Sequence, residues 1–132
     1  MSSTSTGQSS TGTVIVKSLD QPDESRPTAD KGRIELVKLG EVTVGRATFH
    51  PGWRWSEHVK PIVGTELCQA THTGYVVSGR QAVRMADGTE VELGPGDAFV
   101  IGPGHDAWVI GETPCVTLDF SGGANFAQGA HG

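Results

Sequence analysis

Apolar and polar side chains alternate with a period of two along most of this 132-residue chain, the pattern of strands with one buried face. Ile34 and Leu36 alternate with Glu35, and Val42, Val44 and Arg46 with Thr43, Gly45, Ala47 and Phe49. Both faces of these runs are fairly apolar, as in a strand covered on two sides. Gly40-Glu41 between them is short enough for a hairpin. Further strand runs are read at 75–78, 81–85, 89–93, 97–101, 107–110 and 116–120. Asp87-Gly88 joins the second and third of these as a hairpin turn. Gly94-Pro95-Gly96, Gly102-Pro103-Gly104 and Thr113-Pro114 separate the others. Residues 20–32 hold Pro22 and Pro27 and read as a loop. Residues 13–17, with Val14, Ile15 and Val16, are read as a strand, either on the edge of the chain's own fold or against a partner subunit. No stretch has the length and period of an amphipathic helix.

Some eight to ten short antiparallel strands at close spacing predict an all-β fold, a sandwich or jelly-roll barrel of one domain. Composition agrees: 19 glycines and 7 prolines, with 36% hydrophobic residues, exclude a coiled coil, a helical bundle and a membrane protein. Residues 1–13 hold nine Ser or Thr and are expected to be disordered, because they bury too little to offset the entropy of ordering. The domain is placed at 14–120, and 121–132 is expected to be a flexible Gly/Ala-rich tail. Fifteen acidic and ten basic side chains give a net charge of −5, which argues against nucleic acid as a partner. No run approaches the roughly 20 apolar residues of a membrane helix, so no membrane partner is expected. There is no export segment and no paired cysteine motif. Cys68 and Cys115 are therefore expected as free thiols in a reducing cytoplasm. Phosphate-binding glycine loops, a nucleophile elbow and internal repeats are all lacking in the sequence.

The stretch 51–107 resembles the cupin superfamily. The first cupin motif runs Gly, five residues, His-x-His, a short gap, Glu, six residues, Gly. Here Gly52 precedes His58 by the motif spacing, with Lys60 in the second His position. His72 takes the Glu position, six residues before Gly79, with Tyr75-Val76-Val77-Ser78 between. The second motif has its counterpart in Gly94-Pro95-Gly96-Asp97, an apolar strand, and Gly102-Pro103-Gly104. Its histidine falls on Ala107, with His105 two residues earlier and on the same face if the strand is extended there. The resemblance implies a small single-domain cupin with a departed metal motif and a longer loop, 61–71, between His58 and His72.

What the resemblance implies chemically is a divalent transition metal, Fe, Zn, Ni or Cu, in a polar pocket. The candidate ligands are His58, His72, His105 and Cys68, three imidazoles and a thiolate. A site with His in place of Glu keeps more positive charge on the ion and favours a small anionic molecule or an anionic ligand such as Cys68 or Glu66. Read as a strand, 53–60 puts Arg54, Ser56, His58 and Lys60 on one face and Trp53, Trp55 and Glu57 on the other. Lys60, Arg54 and Tyr75 are the candidate substrate contacts. Metal-dependent oxygenase, isomerase or lyase chemistry is one reading. A metal-free cupin that binds a small molecule as a sensor is a second. A protein-contact module presenting Trp53, Trp55 and Trp108 is a third. A homodimer is expected in each.

Overall fold

The structure, a computed structural model, describes residues 13–27, 31–60, 67 and 71–120. The expected disordered start, apart from Thr13, and the expected flexible tail lie outside these residues, as do Glu66 and Cys68.

Nine strands and one helical turn are present among the described residues: β1 (Glu24–Pro27), β2 (Gly32–Leu39), β3 (Val42–Phe49), α1 (Trp55–His58), β4 (His72–Ser78), β5 (Arg80–Met85), β6 (Glu90–Leu93), β7 (Ala98–Ile101), β8 (His105–Ile110) and β9 (Cys115–Asp119). They form two antiparallel sheets, ordered β1-β2-β3-β9-β4-β7 and β6-β5-β8. After β4 the chain passes back and forth between the sheets, which is how a jelly roll covers one core from both sides. The two ladders stay separate, so the barrel is closed by packed side chains and not by a continuous ring of hydrogen bonds.

The predicted hairpins are present. Gly40-Glu41 turns β2 into β3, with Leu39 opposite Val42. The 87–88 turn joins β5 to β6, with the Asp87 carboxylate accepting the Thr89 N–H at 2.9 Å. Gly79 carries the chain from one sheet to the other at φ 77°. A Cβ there would lie 2.2 Å from the Pro114 carbonyl oxygen, so the crossing needs glycine.

Alternation decides the core. Ile34, Leu36, Ala47, Phe49, Val76 and Cys115 of the larger sheet meet Val83, Leu93, Ala107 and Val109 of the smaller one. Trp53, Trp55 and Val59, around α1, complete the cluster.

Three expectations are corrected. Residues 24–27 form β1 and not a loop; their backbone pairs with β2 from Glu24 opposite Leu36 to Pro27 opposite Arg33. Pro27 is tolerated because it ends an edge strand. Residues 13–17 form no strand with the chain's own sheets, and Val14 and Val16 are exposed. Residues 55–58 form a helical turn and not a strand, with the His58 and Val59 N–H groups donating to the Arg54 and Trp55 carbonyls at 2.9 Å. The turn breaks the parity that placed Arg54, Ser56, His58 and Lys60 on one face.

Candidate functional site

Asp106 explains the turn. Arg54, at the helix N-cap, supplies no capping side chain. The Asp106 carboxylate, from β8, accepts the N–H of Ser56 at 3.0 Å and of Ala107 at 2.9 Å. It thereby does the work of an N-cap from another element. The same carboxylate pairs with the Arg54 guanidinium at 3.1 Å, and that guanidinium stacks on the Trp108 ring at 4.3 Å. This staple seats α1 against β8 and fixes Trp53 and Trp55 in the core.

Between the sheets lies a cavity of about 40 Å³, room for two or three water-sized atoms. Its wall is mainly apolar, from Ala47, Phe49, Trp53, Trp55, Phe99, Ile101 and Ala107. His72, Gln81, His105, Thr117 and Asp119 supply the polar positions, and all five are buried.

His72 opens β4, and Asp119 closes β9 beside it, opposite Gly74. Both face inward because residues two apart share a face. His72 Nδ1 lies 3.2 Å from Asp119 Oδ2. An ionised carboxylate only accepts, so the contact with Asp119 calls for a hydrogen on His72 Nδ1. His105 opens β8, and its Nδ1 donates to the Gly102 carbonyl at 2.7 Å. That bond likewise calls for a hydrogen on Nδ1. The two rings stand edge to face with centroids 5.4 Å apart. Gly74 permits the strands to close here: a Cβ would lie 2.2 Å from the Leu118 carbonyl oxygen and 2.9 Å from Phe99.

One further wall group is chemically unfinished. The indole N–H of Trp53 is buried and has no hydrogen-bond partner in the structure. An unpaired buried donor costs about 1–3 kcal/mol.

The structure therefore brings together two of the four expected metal ligands, His72 and His105. His105 shares the inward face of β8 with Ala107, the position of the motif's histidine. His58 is not among the residues lining the cavity; its Nδ1 lies 3.1 Å from both the backbone N–H and the carbonyl oxygen of Arg54, within its own helical turn. Cys68 lies outside the described residues. Among the described residues no three His, Cys, Asp or Glu side chains group as a metal site.

The expected substrate contacts lie elsewhere. Arg54 is held by Asp106, Tyr75 is 40% exposed on the outer face of its sheet, and Lys60 is not in the cavity wall. Trp53 and Trp55 are core residues, 3% and 5% exposed, and not a protein-contact surface. Cys115 is buried, and burial pushes its thiol up to about 11, which makes it a packing residue and not a nucleophile. Asp119, Gln81 and Thr117 are the pocket residues that motif spacing overlooks. The alternation of β9 does mark Asp119, which follows Cys115 and Thr117 at intervals of two on the inward face.

No helix among the described residues is long and apolar enough to cross a membrane. No family model matches the sequence, and no curated protein matches it. Solved structures do. The chain is similar to a sugar phosphate isomerase from a cupin superfamily, from Silicibacter pomeroyi DSS-3, at 18% identity over 77% of this chain and 71% of that one, with a TM-score of 0.56. It is similar to an RmlC-like cupin from Shewanella frigidimarina NCIMB 400, at 18% identity over 78% and 87%, TM-score 0.52. It is also similar to KdgF from Halomonas sp., at 22% identity over 74% and 86%, TM-score 0.51. Identities this low establish architecture and leave chemistry to the site itself. Two facing antiparallel sheets, motif glycines at their crossings and these structural neighbours together establish that the chain has the cupin fold.

Proposed function

We propose that the cavity binds a divalent transition-metal ion together with a small oxygen-bearing anion, and that His72 and His105 are its protein ligands. The observation that carries this reading is the pair of inward imidazoles whose Nδ1 atoms are each tied back, one to the Asp119 carboxylate and one to the Gly102 carbonyl. Metal-binding histidines are oriented in this way by a second partner on the other ring nitrogen. Imidazole nitrogen suits Zn, Fe, Ni and Cu.

The fit is to a site with two protein ligands among the described residues, fewer than the usual three. The remaining positions would fall to the bound molecule. A metal there would supply Lewis-acid polarisation of a bound oxygen, which the isomerase and lyase classes expected from sequence use; the oxygenase class would need a redox-active ion such as Fe or Cu. The chain's own residues do the rest. Asp119 orients His72, the apolar wall limits water, and the Trp53 N–H offers a donor to a ligand oxygen. The cavity's size restricts what enters to an ion and a group of a few atoms.

A second reading is a metal-free pocket that binds a small polar molecule through the same two imidazoles, as a sensor or carrier. Lys60 and Ala107, at the positions of the motif's second and third histidines, favour it. Metal analysis of full-length protein by mass spectrometry separates the two. The first reading predicts near-stoichiometric metal, lost in His72→Ala and in His105→Ala. Protein that takes up no Zn, Fe, Ni or Cu on dialysis refutes the first reading. It leaves the second to be tested by small carboxylates that raise Tm.

A further inference from the structure

The cavity wall has two polar ends. His105, Ala107 and Val109 follow one another on the inward face of β8. Gln81 of β5 stands directly opposite Val109. On the other side of β8 the Val109 N–H donates to the Trp53 carbonyl at 3.1 Å, and Arg54 bridges to Trp108. Directly paired residues show their side chains to the same face, so Gln81, Val109 and Trp53 form a row across the smaller sheet. Gln81 and Trp53 both line the cavity and both are buried. Val109 is four residues along β8 from His105, about 13 Å at 3.3 Å per residue. Across the core, Cys115 meets Gln81, and it lies the same four residues along β9 from Asp119. The row therefore marks the end of the wall opposite the imidazoles.

The Gln81 amide is oriented. The Cys115 thiol donates to its Oε1 at 3.9 Å, and burial keeps that thiol protonated at neutral pH. The reverse orientation would turn the NH2 group onto a thiol hydrogen left without an acceptor. The Nε2 hydrogens are thus turned away from Cys115, and among the described residues they meet no acceptor. The Trp53 indole N–H has no partner either. Each of these buried neutral donors costs free energy until a ligand oxygen accepts from it. No Lys or Arg lines the cavity, and its one carboxylate is Asp119.

We infer that Gln81 and Trp53 hold the far end of the pocket's ligand, that this end is an uncharged hydroxyl or carbonyl oxygen, and that Gln81 sets specificity for it. The inference rests on the reading of the pocket as the site of a small oxygen-bearing anion, with the metal ion or without it. Charge excludes a second carboxylate at this end: it would be desolvated with no cation beside it and with Asp119 in the same cavity. Hydrogen bonding excludes a methyl: both donors would stay unpaired, and a site built to donate rejects an analogue that cannot accept. Size limits the rest, since space for about two or three waters admits an acid of about two carbons. The ligand class is a short hydroxy or oxo acid, its carboxylate at the imidazoles and its uncharged oxygen at Gln81.

Glycolate and propionate test this, because they are nearly equal in size and differ by a hydroxyl in place of a methyl. Each is titrated into the full chain and followed by heteronuclear NMR, first metal-free and again with one equivalent of Zn. Glycolate should move the Trp53 indole and Gln81 amide signals together with the His72 and His105 ring signals. It should bind about tenfold more tightly than propionate, and Gln81→Met, close to Gln in volume, should level the two. The wild-type signals decide the matter even if that variant fails to fold. Imidazole signals that move while those of Trp53 and Gln81 stay still overturn the inference and leave the reading of the pocket standing. Equal affinity for the two acids in wild-type protein overturns it as well. No response to either acid at tens of millimolar, with or without Zn, overturns both.

Discussion

Asp106→Ala should unseat α1, and the cost can be worked from the bonds it makes. The carboxylate is buried and accepts two backbone N–H groups, Ser56 at 3.0 Å and Ala107 at 2.9 Å. Charge-assisted bonds of this kind contribute about 1–1.5 kcal/mol each. The Arg54 partner is about a third exposed, so its ion pair is screened and adds only about 0.5 kcal/mol. The total is about 3 kcal/mol. Asp106→Asn keeps one acceptor oxygen and should cost about half as much. With a urea slope of about 1.5–2 kcal/mol/M for a domain of this size, the alanine variant should lose about 1.5–2 M in midpoint. Trp53 and Trp55 flank the affected turn, and Arg54 stacks on Trp108, so tryptophan fluorescence reports the transition. An alanine variant that loses less than about 1 kcal/mol, or an asparagine variant as damaged as the alanine one, would refute the staple.

Gly74→Ala sets a Cβ against the Leu118 carbonyl oxygen and Phe99 and should destabilise the fold by about 3 kcal/mol, the upper end for overpacking; thermal unfolding measures it. Asp23 is held below the ordinary aspartate range, first by its hydrogen bond from Lys17 and then by the Lys38 N–H. Because its folded value is depressed, its contribution is complete above the unfolded value and is lost as pH falls through the folded one. Asp23→Asn should therefore flatten the acid side of the Tm-against-pH curve, below about pH 4, and leave the neutral-to-basic side parallel to wild type. Cys115, with its thiol near 11, should resist alkylation at pH 8 in a folded Cys68→Ser variant and react on unfolding; labelling of folded protein at the unfolded rate would contradict its burial.

Strand alternation is legible wherever one face meets the core: the runs predicted within 34–49 and within 75–120 recur as strands shifted by at most a few residues, while 13–17 and 53–60 do not. β1 escapes that reading because Glu24–Pro27 has no apolar period and is held by backbone pairing to β2. The helical turn escapes it for a different reason. Trp53 to His58 shows a period-two pattern, and what bends the chain is a carboxylate about fifty residues away. The site divides along the same line. His105 is legible from parity with Ala107, and His72 from the motif frame. His58 keeps the motif spacing, yet its ring contacts Arg54 within its own turn. Asp119 lies in no motif, although its place on the inward face of β9 follows from alternation. Local patterns report which face a residue takes; they do not report contacts between distant elements.

If His72 and His105 form one oriented site with Asp119 behind it, metal affinity depends on these residues and not on His58. Calorimetric titration of full-length protein with Zn or Ni tests it most directly, comparing wild type with His105→Ala, Asp119→Asn and His58→Ala. Expected are no measurable binding without His105, about 10- to 100-fold weaker binding when Asp119 no longer orients His72, and wild-type affinity for His58→Ala. Wild-type affinity in both His105→Ala and Asp119→Asn, or binding abolished by His58→Ala alone, would contradict it.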